Sequence, residues 1–190
     1  PDFDPNHRPN LPARGSAEES PLFNKAIQGV YELGSTFKIF TVAQALELDL
    51  VDPKTKINTK GPIRIGGHKI DDYRNNGPEL PVWQVITESS NLGTARIAKL
   101  IGPEKQREFL SSLGFTNPTS IEMIEASGGK PLLPKRWNEL ETMTISYGHG
   151  LSATPLHLAT GYAALANGGR LVKPTLLEGD KFELGPQVIS

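Results

Sequence analysis

The sequence contains no cysteine. This absence excludes disulfide bonds, thiolate metal sites and a cysteine nucleophile. It leaves the compartment open, because oxidising and reducing environments both tolerate a protein without cysteine. The four histidines, His7, His68, His149 and His157, form neither a His-x3-His nor a His-Glu-x-x-His spacing. The sequence therefore gives no reason to expect a metal site.

An excess of charge and long apolar runs are also lacking. The formal net charge is −1, from 20 basic and 21 acidic residues, which predicts neither nucleic acid nor an anionic membrane surface as a partner. No window approaches the ~18 apolar residues of a membrane span, and no signal peptide opens the chain. Because the chain begins at Pro1 without methionine, we expect a fragment whose membrane anchor, if present, lies upstream.

The pattern of apolar, glycine and proline residues predicts one domain of mixed, mostly helical order with few strands. An irregular lead-in is expected over residues 1–24 and a loop over 116–135. A hairpin with its turn at Gly66-Gly67 is predicted over 63–70. Helices are predicted over 35–48, 82–88, 91–100, 104–113, 140–146 and 155–166, the first too apolar to lie on a surface. Such a helical layer normally packs on a sheet, most of which is not expected within this chain.

The segment Ser35-Thr-Phe-Lys38 carries the first candidate chemistry. Residues three apart share one face of a helix, so the Ser35 hydroxyl and the Lys38 amine are expected within reach of each other. Ser35 falls at the predicted helix N-terminus, where free N–H groups can stabilise an oxyanion. Serine needs an adjacent base, and lysine can be that base if burial lowers its pKa. The apolar neighbours of Lys38 predict such burial.

A Ser-x-x-Lys string alone is weak, because one is expected by chance in a chain of this composition. The alternative for Ser35 is a helix start followed by a lysine that reaches out to solvent. A second string, Ser127-Gly-Gly-Lys130, lies in a loop rich in glycine and proline. We interpret that second string as coincidence.

Two further segments contain candidate polar groups. In Ser89-Ser-Asn91, the Ser89 hydroxyl can relay a proton from Lys38 to a leaving amine, and the Asn91 amide can hold a peptide backbone. The alternative is that Ser89 or Ser90 only caps the following helix. Tyr147-Gly-His-Gly150 is either a cleft wall or a simple loop, and a loop histidine such as His149 is more often solvated than catalytic.

Together these segments resemble the penicillin-binding protein transpeptidases, in particular the class B enzymes that make septal peptidoglycan. Glu32-Leu-Gly-Ser-Thr-Phe-Lys38 resembles the nucleophile motif, and Glu88-Ser-Ser-Asn-Leu-Gly93 resembles the second motif at a suitable distance. Asn91 favours the division-type branch over the elongation-type branch. Further similar segments cover nearly all of the chain: 1–6 at the domain entry, 145–151, Thr154-Pro155, 164–169 and Lys173-Pro174.

The resemblance implies a D-Ala-D-Ala transpeptidase with Ser35 as nucleophile, Lys38 as its base and Ser89 as proton relay. Asn91 would bind the substrate amide. The implied partners are the stem peptide of peptidoglycan, β-lactams and, in the full-length protein, other division proteins. No cofactor and no metal enters this chemistry. The implied location is extracytoplasmic, at the periplasmic face of the bacterial inner membrane, with no membrane contact except through an upstream anchor.

The implied fold is α+β, the penicillin-binding and serine β-lactamase-like transpeptidase fold, with helices packed on an antiparallel sheet. Leu33 stands where the family usually has proline. The family's third motif, Lys-Thr/Ser-Gly on an edge strand, occurs nowhere in the sequence. We therefore expect residues 1–190 to be a transpeptidase domain fragment that lacks this C-terminal strand, with an incomplete sheet and little turnover of its own.

Two alternatives stay open. A serine β-lactamase or D,D-carboxypeptidase shares the first two motifs but uses water as acceptor, and Glu122 and Glu125 lie in a loop unsuited to a deacylating base. A β-lactam-binding sensor domain could keep Ser35 and Lys38, become acylated once and signal. The segment 154–169 resembles transpeptidases more closely than sensors.

Overall fold

The computed structural model describes residues 4, 6–10, 14–179 and 184–190. The predicted domain-entry segment, residues 1–6, therefore lies mostly outside the described residues. Within the described part, six α-helices follow one another: α1 Lys38–Glu47, α2 Val82–Thr87, α3 Asn91–Ile101, α4 Pro103–Ser112, α5 Glu139–Ile145 and α6 Pro155–Ala166. Short 3-10 helices cover Ala17–Glu19, Gly34–Phe37 and Ile124–Gly128. None of these helices is long and apolar enough to cross a membrane.

Short antiparallel pairs make up all of the described sheet structure. The pairs are β1 Tyr31–Glu32 with β6 Ser152–Ala153, β2 Lys56–Asn58 with β5 Glu79–Pro81, β3 Ile63–Ile65 with β4 His68–Ile70, and β7 Arg170–Val172 with β8 Leu184–Gln187. Only the β3–β4 hairpin was predicted. Strands of two to four residues are too short to show the alternation by which a strand is recognised in sequence.

Helix α1 is buried on most sides, as its composition predicts. Phe37 and Phe40 face one core cluster and form edge-to-face contacts with Phe115, with ring centroids 5.0–5.1 Å apart. Val42 and Ala45 face a second cluster, built with residues of α2 and α3. The predicted start at Ser35 is refined, since residues 34–37 form a 3-10 turn and α1 begins at Lys38. The nucleophile motif thus lies where the helical geometry changes.

The predicted helix at 155–166 is present as α6, and its start is capped. Thr154 accepts a hydrogen bond from the backbone N–H of His157, and Pro155 occupies the first turn. The His157 ring completes a capping box, because its Nδ1 lies 3.2 Å from the backbone nitrogen of Thr154. On the other side of the ring, Nε2 contacts the carbonyl oxygen of Asn117 at 2.7 Å. These contacts fix the start of α6 against the loop after α4.

Candidate active site

Lys38 is buried at the start of α1, with 2% of its surface exposed. Its Nζ donates to the backbone oxygen of Ser89 and to Ser89 Oγ, which lies 2.8 Å away. Burial lowers the pKa of Lys38 to about 8, although the negative charge of Asp72 opposes this shift. The structure therefore brings together two residues that the sequence suggested from separate motifs.

Ser35 is exposed and occupies the 3-10 turn immediately before α1. Its backbone oxygen accepts a hydrogen bond from the N–H of Lys38, so the two residues share one turn. The described hydrogen bonds of Lys38 Nζ go to Ser89 and not to Ser35. In this state the lysine contacts the relay candidate, and the nucleophile candidate is open to solvent.

Tyr147-Gly-His-Gly150 packs directly against the nucleophile segment. Glu32 accepts hydrogen bonds from the backbone N–H of Gly150, at 2.7 Å, and from His149 Nδ1, at 3.0 Å. The N–H of Gly34 donates to the oxygen of Gly148 at 3.1 Å. Gly148 has φ +85°, and a Cβ there would collide with the backbone of Gly34. The turn therefore supports the reactive segment, and the β1–β6 pairing continues that contact.

Of the two serines that the sequence offered as caps of the next helix, the structure selects Ser90. Ser90 caps α3, since its Oγ accepts from the N–H of Gly93 at 2.9 Å. Ser89 lies between α2 and α3 with φ +53°, a left-handed conformation that is uncommon for serine. This conformation accompanies the contact of both its carbonyl and its hydroxyl with Lys38. Backbone strain of this kind is typical of functional sites.

Asp72 is a site residue that the sequence reasoning missed. Its carboxylate accepts from Ser90 Oγ at 2.7 Å, from the N–H of Leu92 at 2.9 Å and from Asn76 Nδ2 at 3.2 Å. It therefore fixes the start of α3 and also lies close enough to Lys38 to affect its pKa. The available signal was an acidic pair directly after the hairpin, which is common in ordinary loops.

Asn91 occupies the first position of α3 and is half-buried. Its Nδ2 donates to the backbone oxygen of Asp71 at 3.2 Å. This contact fixes the orientation of the carboxamide at the start of α3, with its Oδ1 free of hydrogen bonds to described residues. Asn91 therefore retains a polar group that is available for a ligand.

Other polar groups singled out in the sequence are engaged elsewhere. Ser127 belongs to the 3-10 helix of residues 124–128, where its Oγ donates to the oxygen of Ile124 at 3.3 Å. Glu122 accepts from Thr175 Oγ1 and from the N–H of Leu176, at 2.9 and 3.1 Å. Among the described residues, no three acidic or histidine side chains group as metal ligands would.

The whole chain, residues 1–190, matches the family described as the penicillin binding protein transpeptidase domain. The chain belongs to the penicillin-binding protein transpeptidase family. This confirms the resemblance drawn from the motifs, and it confirms the α+β fold class of helices with antiparallel strands.

Named relatives and solved structures agree with the penicillin-binding protein assignment. The chain is 34% identical over 171 residues to the probable peptidoglycan D,D-transpeptidase FtsI of Caulobacter vibrioides, covering 90% of this chain and 28% of the relative. It is 33% identical to the peptidoglycan D,D-transpeptidase FtsI of Escherichia coli K12, covering 87% of this chain and 27% of the relative. The chain thus spans less than a third of the length of these relatives.

Among solved structures, the chain resembles the apo transpeptidase domain of penicillin-binding protein 3 from Burkholderia pseudomallei. The TM-score is 0.80 at 35% identity, over 88% of this chain and 51% of that one. A structure described as a peptidoglycan glycosyltransferase from Burkholderia ambifaria gives a TM-score of 0.81 at 33% identity, over 90% of this chain and 54% of that one. The penicillin-binding protein fold is therefore present in the part that this chain covers.

Proposed function

We propose that this chain carries the nucleophile half of a peptidoglycan D,D-transpeptidase site. The observation that supports this most directly is Lys38, which is buried, has a pKa of about 8 and contacts Ser89 at 2.8 Å. Ser35 stands one turn before it, exposed to a substrate. A lysine with a lowered pKa that contacts one hydroxyl group and lies one turn from another is suited to move protons between them.

In the proposed acylation, Lys38 in its neutral form takes the proton of Ser35 Oγ as that oxygen attacks the carbonyl of the penultimate D-alanine. A C–O bond to Ser35 forms, and the C–N bond to the terminal D-alanine breaks. The proton passes from Lys38 through Ser89 to the leaving nitrogen, which departs as an amine. The contact of Lys38 Nζ with Ser89 Oγ is the path for that transfer.

The second proposed step reverses these roles. The amine of another stem peptide attacks the acyl-enzyme, a new C–N bond forms and the C–O bond to Ser35 breaks. The proton lost by the amine returns through the same groups to Ser35. A β-lactam enters the first step in the same way, but its leaving nitrogen stays tethered to the acyl group. The adduct is therefore expected to persist.

Asn91 is proposed to bind the amide of the substrate, because its carboxamide is held at the start of α3, two residues after Ser89, and retains a group for a ligand. We also propose that residues 1–190 form part of a transpeptidase domain whose carboxylate-binding strand is outside this sequence, since no Lys-Thr/Ser-Gly string occurs in it. Loss of one oxyanion-hole donor costs about 2.7–4 kcal/mol in enzymes generally. Slow turnover by this chain alone is the expected result.

Hydrolase function is less well supported than transfer. A serine β-lactamase needs a base that activates water, and Glu122 is committed to Thr175 and Leu176. The sensor alternative shares the acylation step and differs only afterwards. Both alternatives are therefore separated from transpeptidation by the fate of the acyl group.

We propose that the full-length protein acts outside the cytoplasm, at the periplasmic face of the inner membrane, together with division proteins. The support is the kinship with proteins named FtsI. Its proposed substrates are stem peptides ending in D-Ala-D-Ala, and its proposed inhibitors are β-lactams.

The decisive experiment is intact-mass spectrometry after incubation with benzylpenicillin. We expect one stable adduct on this chain, its loss in Ser35→Ala and its retention in Ser127→Ala, which alters the second Ser-x-x-Lys string. An adduct that forms and disappears within minutes would favour a hydrolase. If the folded chain gives no adduct, the test is repeated on a chain extended past Ser190. Absence of an adduct there as well would overturn the assignment.

A further inference from the structure

The backbone on each side of Ser35 is held by a residue from far along the chain. On one side, the N–H of Gly34 donates to the oxygen of Gly148 at 3.1 Å. On the other side, the hydroxyl of Tyr162 donates to the oxygen of Thr36 at 2.7 Å, across 126 residues of sequence. Ser35 itself has no described side-chain hydrogen bond, so its position depends on these neighbours.

Tyr162 is itself well placed to hold this turn. Its ring packs edge-on against Phe40 of α1, with the centroids 5.5 Å apart and the planes at 88°. Burial raises the pKa of Tyr162, so the phenol keeps its proton and remains a donor at neutral pH. Gly161 lets α6 come close, because a Cβ there would stand 2.8 Å from the ring of Phe40.

The turn that bears Ser35 needs such external support. Residues 34–37 form a 3-10 helix, whose internal hydrogen bonds have poorer geometry than those of an α-helix. Leu33, which precedes it, provides no side-chain cap. A nucleophile must be held close to the attack geometry, and a small displacement slows reaction more than it weakens binding.

We propose that Tyr162 is a positioning residue for the nucleophile, holding the Ser35 turn through the oxygen of Thr36. The inference rests on the proposed function, because it assumes that Ser35 is the group acylated. It assigns Tyr162 no contact with substrate. Its effect is on the rate of acylation and not on the affinity of the initial complex.

The test compares Tyr162→Phe, which removes the hydroxyl and keeps the ring, with Tyr73→Phe, whose side chain is 97% exposed. Acylation by a chromogenic β-lactam is measured over a range of concentrations, to separate the first-order acylation constant from the dissociation constant. In Tyr162→Phe we expect acylation to fall about 3- to 10-fold, the usual effect of one neutral hydrogen bond. The dissociation constant of Tyr162→Phe should equal that of the wild type. Tyr73→Phe should match the wild type in both constants. Unchanged acylation in Tyr162→Phe overturns the inference, and so does a fall confined to affinity.

A second measurement does not depend on β-lactam reactivity. Because the chain contains no cysteine, Ser35→Cys introduces its sole thiol. Lys38 favours the thiolate of a correctly held Cys side chain, and alkylation by iodoacetamide against pH reports that effect. Adding Tyr162→Phe should move the profile to higher pH, and superimposable profiles would contradict the inference. If Tyr162→Phe shifts the alkylation profile of Ser35→Cys but the wild type is not acylated by the β-lactam, only the proposed function is overturned. Acylation at the same rate in the wild type and in Tyr162→Phe would overturn the inference and leave the proposed function intact.

Discussion

The side chain of Lys38 is buried, and its hydrogen-bond partner carries no negative charge to balance the charge of the ammonium group. Ser89 offers two oxygen atoms and no charge, so desolvation prevails and the pKa falls from 10.5 to about 8. At pH 7 about one molecule in ten then has the neutral amine, which is the form that can act as a base. Asp72 limits the shift, since its negative charge favours the protonated lysine.

The rate of acylation by a β-lactam should therefore rise with pH and level off above about 8. Asp72→Asn removes the charge that favours protonated Lys38, so the midpoint of the profile should move to lower pH. Asp71→Asn is the matched control, because Asp71 forms an ion pair with Lys69 at 2.8 Å. The midpoint of the pH profile of this variant should equal that of the wild type. The measurement is the acylation constant between pH 6 and 10. A midpoint that rises in Asp72→Asn would refute this account of the lysine.

Pattern in the sequence was sufficient to select Ser35, Lys38, Ser89 and Asn91 as candidates, because each belongs to a short motif. It could not identify Asp72 or Tyr162. Asp72 reaches Ser90 and Leu92 across about twenty residues, and Tyr162 reaches a backbone oxygen 126 residues away. Contacts of this length depend on tertiary packing and leave no local periodicity. The hydrogen bonds of Lys38 Nζ to Ser89 likewise depend on tertiary packing and could not be predicted from the local sequence.

Helix α6 is fixed at its start by a cap and along its length by a close approach to α1. The Thr154–His157 capping box sets the first turn. Further along, the missing side chain of Gly161 brings α6 against Phe40 and Phe115. Tyr162 is the next residue after Gly161. The close packing of α6 on α1 therefore brings the Tyr162 hydroxyl within hydrogen-bond distance of the Thr36 oxygen.

Gly161→Ala should lower the free energy of unfolding by about 1–3 kcal/mol, the usual cost of overpacking a filled core. The added methyl would lie 2.8 Å from Phe40 and 3.0 Å from Phe115, which outweighs the gain in helix propensity of about 1 kcal/mol. Urea unfolding measures the change. Gly179→Ala is the control, since a Cβ at that position would have no described atom within 4 Å apart from its neighbours along the chain. Equal stability of the two variants would mean that the α1–α6 contact is loose.

The helices were predictable because each shows its apolar spacing and its end signals within a dozen residues. Thr154-Pro155 is the clearest case, where two residues define the start of α6. Apart from the β3–β4 hairpin, the strands were not predictable, because pairs such as Tyr31–Glu32 with Ser152–Ala153 exist only once the chain has brought them together. Their role here is to join the nucleophile segment to the turn at residues 147–150.

Across the molecule, α1 lies between two core clusters and carries the buried lysine at its first turn. The helix that contributes to both core clusters therefore also carries the proposed base. The unfolded chain holds the Lys38 proton up to pH of about 10.5, whereas the folded chain releases it at about 8. Between these values the unfolded state binds more protons, so the free energy of unfolding rises with pH.

This linkage predicts a difference between the wild type and Lys38→Met. From pH 8 to pH 10 the wild type should gain about 2 kcal/mol in free energy of unfolding relative to the variant, which lacks the titrating group. Urea unfolding of both proteins at the two pH values provides the measurement, and other ionising groups cancel in the comparison. A constant difference would show that Lys38 titrates normally in the folded chain.

The hydrogen bonds that hold the nucleophile segment join residues 117, 118 and 126 positions apart. Contacts of such long range close large loops and are slow to form during folding. Biosynthesis delivers Ser35 and Lys38 early, but their supports at Gly148, His149 and Tyr162 leave the ribosome more than a hundred residues later. A nascent chain that has not reached α6 therefore contains the complete Ser35–Lys38 motif but not Tyr162, whose hydroxyl holds the turn at residues 34–37.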